Sequence, residues 1–217
     1  MASITFNQAN GTTVGSVDAH FTGDTTLFEV QSSVLQITNS STFVTRYTVF
    51  SNAQGGTQES TITLKAGVSL GAGEIISVLT QGVSTAVNYE ALIDNTNVTL
   101  RRNNTFQSQT PHGMTLASAG NTVRLRSNSS TGLVDVFING SGTAATSFTD
   151  GTPLTGGFPG FMFNAQGTIA NVGITAWTDG VAGTAQISHR NGIALSGISA
   201  INGITKTGIS AINGLTI

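Results

Sequence analysis

The sequence predicts an all-β protein, a two-sheet antiparallel sandwich or jelly roll with a C-terminal β-repeat appendage. Three observations predict it. Apolar and polar residues alternate with period two in many short segments up to about Thr178. Glycine is abundant, at 27 residues against 3 prolines, which suits many strands joined by tight turns. The last stretch, 187–217, repeats with a period of 11. No window of helical length carries a clean apolar stripe at 3.6 spacing, so no helix is expected.

The elements follow in order. Short β candidates lie at 27–30 and 34–37. Phe43 to Phe50 alternates, with Phe43, Thr45, Tyr47 and Val49 on one face and Val44, Arg46, Thr48 and Phe50 on the other. Ser60 to Lys65 repeats the pattern, and 74–80 and 87–93 are further candidates. Asn97 to Arg101 alternates again. Thr122 to Arg126 sets Arg124 and Arg126 opposite Val123 and Leu125. Leu133 to Ile138 runs into Asn139-Gly140, a pair suited to the two positive-φ positions of a type I′ hairpin turn. Candidates at 159–163 and 168–177 complete the series. Trp177-Thr178-Asp179-Gly180 closes a domain over 1–180, 181–186 reads as a linker, and 187–217 holds three repeats.

Each repeat begins at Ile187-Ser188, Ile198-Ser199 or Ile209-Ser210 and carries Asn-Gly four residues later, at 191, 202 and 213. A two-residue turn there pairs Ile201 with Ile204 and Ile212 with Leu215. Such hairpins are marginal alone, so docking is expected, either on the sandwich or on another protein. Each buried isoleucine contributes roughly 1.5–3 kcal/mol. Ile187, Ile193, Ile198, Ile201, Ile204, Ile209, Ile212 and Leu215 are the expected assembly contacts. An open strand edge also invites β-augmentation.

Composition excludes several functions. Charged residues make up 8% of the chain and net charge is −2, too little for nucleic acid or an anionic membrane. Disorder is not implied, because 38% of residues are apolar and alternate. Cysteine is absent, so there is no disulfide framework. No basic segment followed by an apolar run predicts a secretory signal, and no apolar stretch predicts membrane insertion.

Residues 87–180 carry a resemblance. Its pieces are Tyr89-Glu90-Ala91-Leu92-Ile93, Val98-Thr99-Leu100-Arg101-Arg102, Thr115-Leu116-Ala117 and Gly120 to Arg126. Val134 to Gly140, Thr149-Asp150-Gly151 and Gly156 to Phe161 follow in order. This stretch resembles the laminin-G-like/concanavalin A-like jelly-roll domains of bacteriophage virion structural proteins. The tail is similar to the short Ile-Asn-Gly repeats that end many phage virion proteins. The resemblance implies fold more strongly than function.

The superfamily contains glucanases, which place acids as E-x-D-x-E on one strand, with the catalytic pair roughly 5–5.5 Å apart for retention. Here Glu90 and Asp94 share a face but stand about 13 Å apart on an extended strand, with no third acid. No catalytic residues are expected, and the chain is read as not an enzyme. Lectin-type calcium sites need closely spaced acids; Asp18, Asp24, Asp135, Asp150 and Asp179 are single, and a lone Asp150 would hold calcium only weakly. His20, His112 and His189 lack ligand spacing, and His112 is expected at the surface. No G-x-S-x-G nucleophile setting occurs, and glycine-rich turns lack a following helix that would cradle phosphate. No cofactor or metal is expected. Arg101, Arg102, Arg124 and Arg126 share one face if their strands are neighbours; pairing with acids on a solvated face is the plainer expectation. Trp177 is expected to pack in the core or at the domain edge rather than stack on sugar.

The expected function is a virion structural protein, a capsid decoration or cement protein held through its repeats. Partners would be other capsid or tail proteins and further copies of the chain, with a trimer suiting a shell's local three-fold positions. The alternative is a glycan-binding module of a tail fibre or host-recognition adhesin, with a host surface glycan as partner.

Overall fold

The computed structural model describes residues 2–37, 40–51, 56–167 and 172–180, together with six two-residue strands in the tail. The chain divides into two compact units, Met1–Val181 and Ala182–Ile217. The first is a sandwich of two antiparallel sheets, as the alternation predicts.

One sheet has eight strands. Its members are β1 (Ser3–Thr5), β3 (Phe28–Gln31), β4 (Val34–Ile37), β6 (Thr57–Leu64), β11 (Thr122–Asn128), β12 (Leu133–Ile138), β13 (Thr146–Thr149) and β15 (Ile174–Gly180). Their order is β13-β12-β11-β6-β15-β4-β3, with β1 also on β15. The other sheet has seven strands: β2 (Phe21–Gly23), β5 (Ser40–Phe50), β7 (Ile75–Gly82), β8 (Tyr89–Ile93), β9 (Asn97–Arg102), β10 (Thr105–Pro111) and β14 (Phe158–Gly167). Their order is β10-β9-β8-β7-β14-β5-β2.

Period-two burial fixes which residues meet between the sheets. In β11, Val123 and Leu125 are fully buried while Arg124 and Arg126 remain half-buried, as the sequence predicts. Phe6, Phe21, Phe28, Phe50, Phe161 and Trp177 form an aromatic cluster with mostly edge-on or tilted contacts. Trp177 is wholly buried, in agreement with a core role. Its Nε1–H donates to Ser60 Oγ at 2.9 Å, and Ser60 donates to the Gly160 carbonyl at 2.8 Å. The indole's polar edge is therefore satisfied inside the core.

Several expectations need correction. A single helical turn, α1 (Val14–Val17), exists where no helix was predicted; only Val14 among its residues is buried, so it left no periodic signal. Asn139 and Gly140 do adopt φ of 51° and 70°, and Ser141 N–H closes the turn on the Ile138 carbonyl at 3.0 Å. However, β12 and β13 are joined through residues 139–145, not by a two-residue connection, because pairing resumes only at Val136↔Thr146. Two tight hairpins use other residues. Ser32-Ser33 joins β3 to β4 with φ of 52° and 63°, and Asn103-Asn104 joins β9 to β10 with φ of 49° and 63°. The candidate at 168–177 becomes a strand only from Ile174; residues 168–171 lie outside those described. Strands β1, β2, β10 and β13 were not anticipated.

In the second unit, β16 (His189–Arg190) pairs with β17 (Ile193–Ala194), β18 (Ala200–Ile201) with β19 (Ile204–Thr205), and β20 (Ala211–Ile212) with β21 (Leu215–Thr216). The registers Ile201↔Ile204 and Ile212↔Leu215 are those the Asn-Gly spacing predicts. The Asn-Gly pairs themselves, and Ile187, Ile198 and Ile209, lie outside the described residues.

Candidate functional site

The site follows from the two faces of β8 and β9. Tyr89, Ala91 and Ile93 enter the core. Glu90 and Leu92 therefore point to the outer face of the seven-stranded sheet, and Asp94 continues their parity. Register carries the same face sideways, as Phe106↔Arg101↔Glu90↔Leu79. Where a glucanase strand would place its second acid, this chain has Leu92.

At one end of this face the loop 70–75 stands beside Leu92, Asp94, Asn95, Thr96 and Arg101, enclosing an open cleft of about 440 Å³. Local hydrogen bonds fix its walls. Asn95 Oδ1 accepts from Leu70 N–H at 3.1 Å, and Asn95 Nδ2 donates to the Leu70 carbonyl at 2.5 Å. Glu74 accepts from Gly71 N–H at 2.7 Å. Asp94 Oδ1 accepts from the N–H groups of Thr96 and Asn97 at 2.8 and 2.7 Å. Burial pushes the Asp94 carboxyl upward, but these N–H groups outweigh it and hold it below its ordinary value. Asp94 lines this cleft as an ionised acceptor.

His112 is 6% exposed, contrary to the surface position expected. Its Nδ1 accepts from Met114 N–H at 2.9 Å, which leaves the proton on Nε2 to donate to the Asp94 carbonyl at 3.2 Å. The ring thus buttresses the cleft from behind.

Glu90 is fully buried. Ser77 Oγ donates to its Oε1 at 2.6 Å, while Oε2 has no hydrogen-bond partner and lies 4.0 Å from an Arg101 nitrogen. Burial pushes its carboxyl above the usual range, opposed by the Ser77 bond and the Arg101 charge. The Arg101 side chain makes no hydrogen bond to a described residue, so its N–H groups are available to the cleft. Phe106, directly across from it, is 61% exposed.

On the opposite face Arg102 is engaged throughout. Its Nε donates to Asp150 Oδ2 at 2.5 Å and its Nη2 to the Thr152 carbonyl at 2.9 Å. Tyr89 Oη donates to the same Asp150 oxygen at 2.7 Å and accepts from Leu154 N–H. Burial and the Asp150 carboxylate raise the Tyr89 hydroxyl to about 12. Although burial raises Asp150, bonds from Tyr89, Thr152 and Arg102 bring it below its ordinary value. Gly132, at φ 73°, lets the chain approach Asp150 closely; a Cβ there would stand 2.0 Å from its carbonyl oxygen. With a guanidinium seated on Asp150, weak calcium binding at that residue is not supported. Among the described residues no group of three or more His, Asp or Glu could hold a metal ion, and no helix is long and apolar enough to cross a membrane.

The four arginines do not share a face. Arg101 and Arg102 point to opposite sides of one sheet, and Arg124 and Arg126 belong to the other sheet. There they flank the Phe137 ring, 4.1 and 4.8 Å from its centroid, with Glu59 and Asp135 as ion-pair partners. Pairing with acids, the plainer expectation, describes them. The sequence missed Phe106 and the loop 70–75, because edge-strand exposure and loop placement leave no local pattern.

No family model matches the sequence, and no curated protein sequence does. Solved structures do match in fold. The metal-free carbohydrate recognition domain of Emp46p aligns at TM-score 0.57 and 10% identity, over 78% of this chain and 95% of that one. A legume lectin-like domain from Entamoeba histolytica aligns at 0.55 and 11%, over 75% and 89%. An endo-1,3-β-glucanase from Streptomyces sioyaensis aligns at 0.55 and 13%, over 82% and 94%. This chain has the concanavalin A-like sandwich fold. At such identity the likeness establishes architecture alone.

Proposed function

We propose that this chain is a glycan-binding module of a virus particle, in which the sandwich takes a saccharide and the repeats at 187–217 attach it. The cleft carries this reading. Its volume falls within the roughly 300–1,000 Å³ typical of small-molecule sites. It combines the acceptors Asp94 and Glu74 with the unused donors of Arg101, a set suited to hydroxyl-rich ligands. Phe106 adds an exposed aromatic face beside Arg101. Lectin-like carbohydrate recognition domains among the fold neighbours support it. No bond is broken in this role, since Leu92 stands where a second strand acid would be needed.

β7 runs from Ile75 at the cleft to Gly82, about 23 Å away at 3.3 Å per residue. Gln81 N–H at that far end bonds Gln58 Oε1, and neighbouring Glu59 pairs with Gly180. Gly180, the last described residue of the sandwich, therefore lies at the end of the sheets away from the cleft.

A glycan array with the full chain tests the proposal. Selective binding that is lost in Asp94→Ala supports it; the absence of binding to any glycan would refute it. The second reading, a capsid decoration protein without glycan affinity, draws on the three equally spaced hairpins. Deleting 187–217 should then empty the particles of this protein, as seen by electron microscopy. Normal occupancy would rule out the repeats as the attachment.

A further inference from the structure

Glu90 and Arg101 are each incomplete, and they face one another. Glu90 is wholly buried, yet Oε2 has no hydrogen-bond partner, which is costly for a carboxyl group. The Arg101 side chain, 4.0 Å away, lines the cleft and forms no hydrogen bond to a described residue. Arg126 shows what a structural arginine does on a strand face, with Nε and Nη2 both bonded to Asp135. Ser77 fixes Glu90 from the other side through Oε1, so the carboxyl cannot turn away from Arg101 without losing that bond. Around Glu90 the facing residues are Leu79 across β7 and Arg101 across β9; Arg101 is the charged one.

We propose that Glu90 is a positioning residue of the glycan cleft, holding the Arg101 guanidinium so that its N–H fork meets two neighbouring oxygens of one sugar ring. The proposal rests on the cleft being the saccharide site. Asp94 and Glu74 share the cleft with the single guanidinium. This balance disfavours an anionic sugar and selects a neutral vicinal diol, whose oxygens accept from Arg101 while its hydroxyls donate to the carboxylates. Glu90 acts only when ionised, and burial raises the pH at which it ionises. Binding therefore strengthens as pH rises through that value.

The test has two arms on the full chain. In ligand-free protein, the Arg101 side-chain NMR signal should titrate with an acid group above the usual glutamate range, and Glu90→Gln should abolish that titration. In the binding arm, the best neutral glycan from the array should bind Glu90→Gln about tenfold more weakly at neutral pH. Its pH profile should lack the step above the usual glutamate range, and adding Glu90→Gln to Arg101→Gln should produce no further loss. Additive losses, an unchanged affinity or an Arg101 signal insensitive to Glu90 would overturn the proposal. Preference for sialylated or uronic acid glycans would overturn the neutral-diol assignment. If no glycan binds at all, the glycan reading falls, while the NMR arm still decides whether Glu90 holds Arg101. Ser77→Ala, which leaves both charges, should lower affinity in the same direction and serves if Glu90→Gln does not fold.

Discussion

Arg101 and Arg102 are adjacent in sequence and have opposite surroundings. Arg102 joins Asp150, Thr152 and Tyr89 in a network that ties the loop after β13 to β8 and β9. Arg101 meets one buried carboxyl at 4.0 Å and a cleft. One strand thus carries a structural arginine on one face and an available arginine on the other. Completed hydrogen bonding thus marks the stabilising face of β9, and incomplete bonding beside a cavity marks the face proposed to bind.

Removing the completed side should cost most. Asp150→Ala leaves Arg102 and the Tyr89 hydroxyl without their shared acceptor, and is expected to lower stability by about 3 kcal/mol in urea unfolding. A loss below about 1 kcal/mol would mean the network is dispensable. Next in size is the hairpin that carries β9 into β10. Asn104 has φ of 63°, so Asn104→Ala should cost about 1 kcal/mol in the same measurement.

Acid separates the two sides by sign. Asp150 is held below its unfolded value of about 3.9, so its stabilisation is complete above that pH and is lost as pH falls through its folded value. Glu90 is raised above about 4.3, so the folded state binds the proton more tightly. Its contribution is fullest below that value and declines as pH rises through its folded value. The stability of Glu90→Gln relative to the native chain should accordingly rise with pH in this window, followed by urea unfolding at a series of pH values. A constant difference would contradict the sign. The smallest stability effect belongs to Arg101→Gln, a loss of about 0.5–1 kcal/mol at neutral pH, because the half-exposed guanidinium makes no side-chain hydrogen bond yet is the charge that faces buried Glu90.

The sequence made the strands with one buried face legible. β12 matches its expected bounds, and β11 alternates as read. Edge strands such as β10 were missed because TFQSQTP buries nothing on a regular period. The acids and arginines could be named, but not sorted. That Arg101 points away from the core follows from the alternation of Val98 and Leu100, but that it meets Glu90 depends on register, set by pairing between strands rather than by local sequence. His112 gave no sign of burial, since its partners, Met114 N–H and the Asp94 carbonyl, are backbone groups. The Asn-Gly spacing in the tail did fix two hairpin registers, because a two-residue turn leaves one way to pair its flanks.

The most direct test of the glycan-binding cleft is the affinity of the full chain for its best array glycan, measured by titration calorimetry for native protein and Arg101→Gln. Clear binding by the native chain and at least a tenfold loss in the variant are expected, with both proteins folded at the titration temperature. Equal affinity in the two proteins would contradict it.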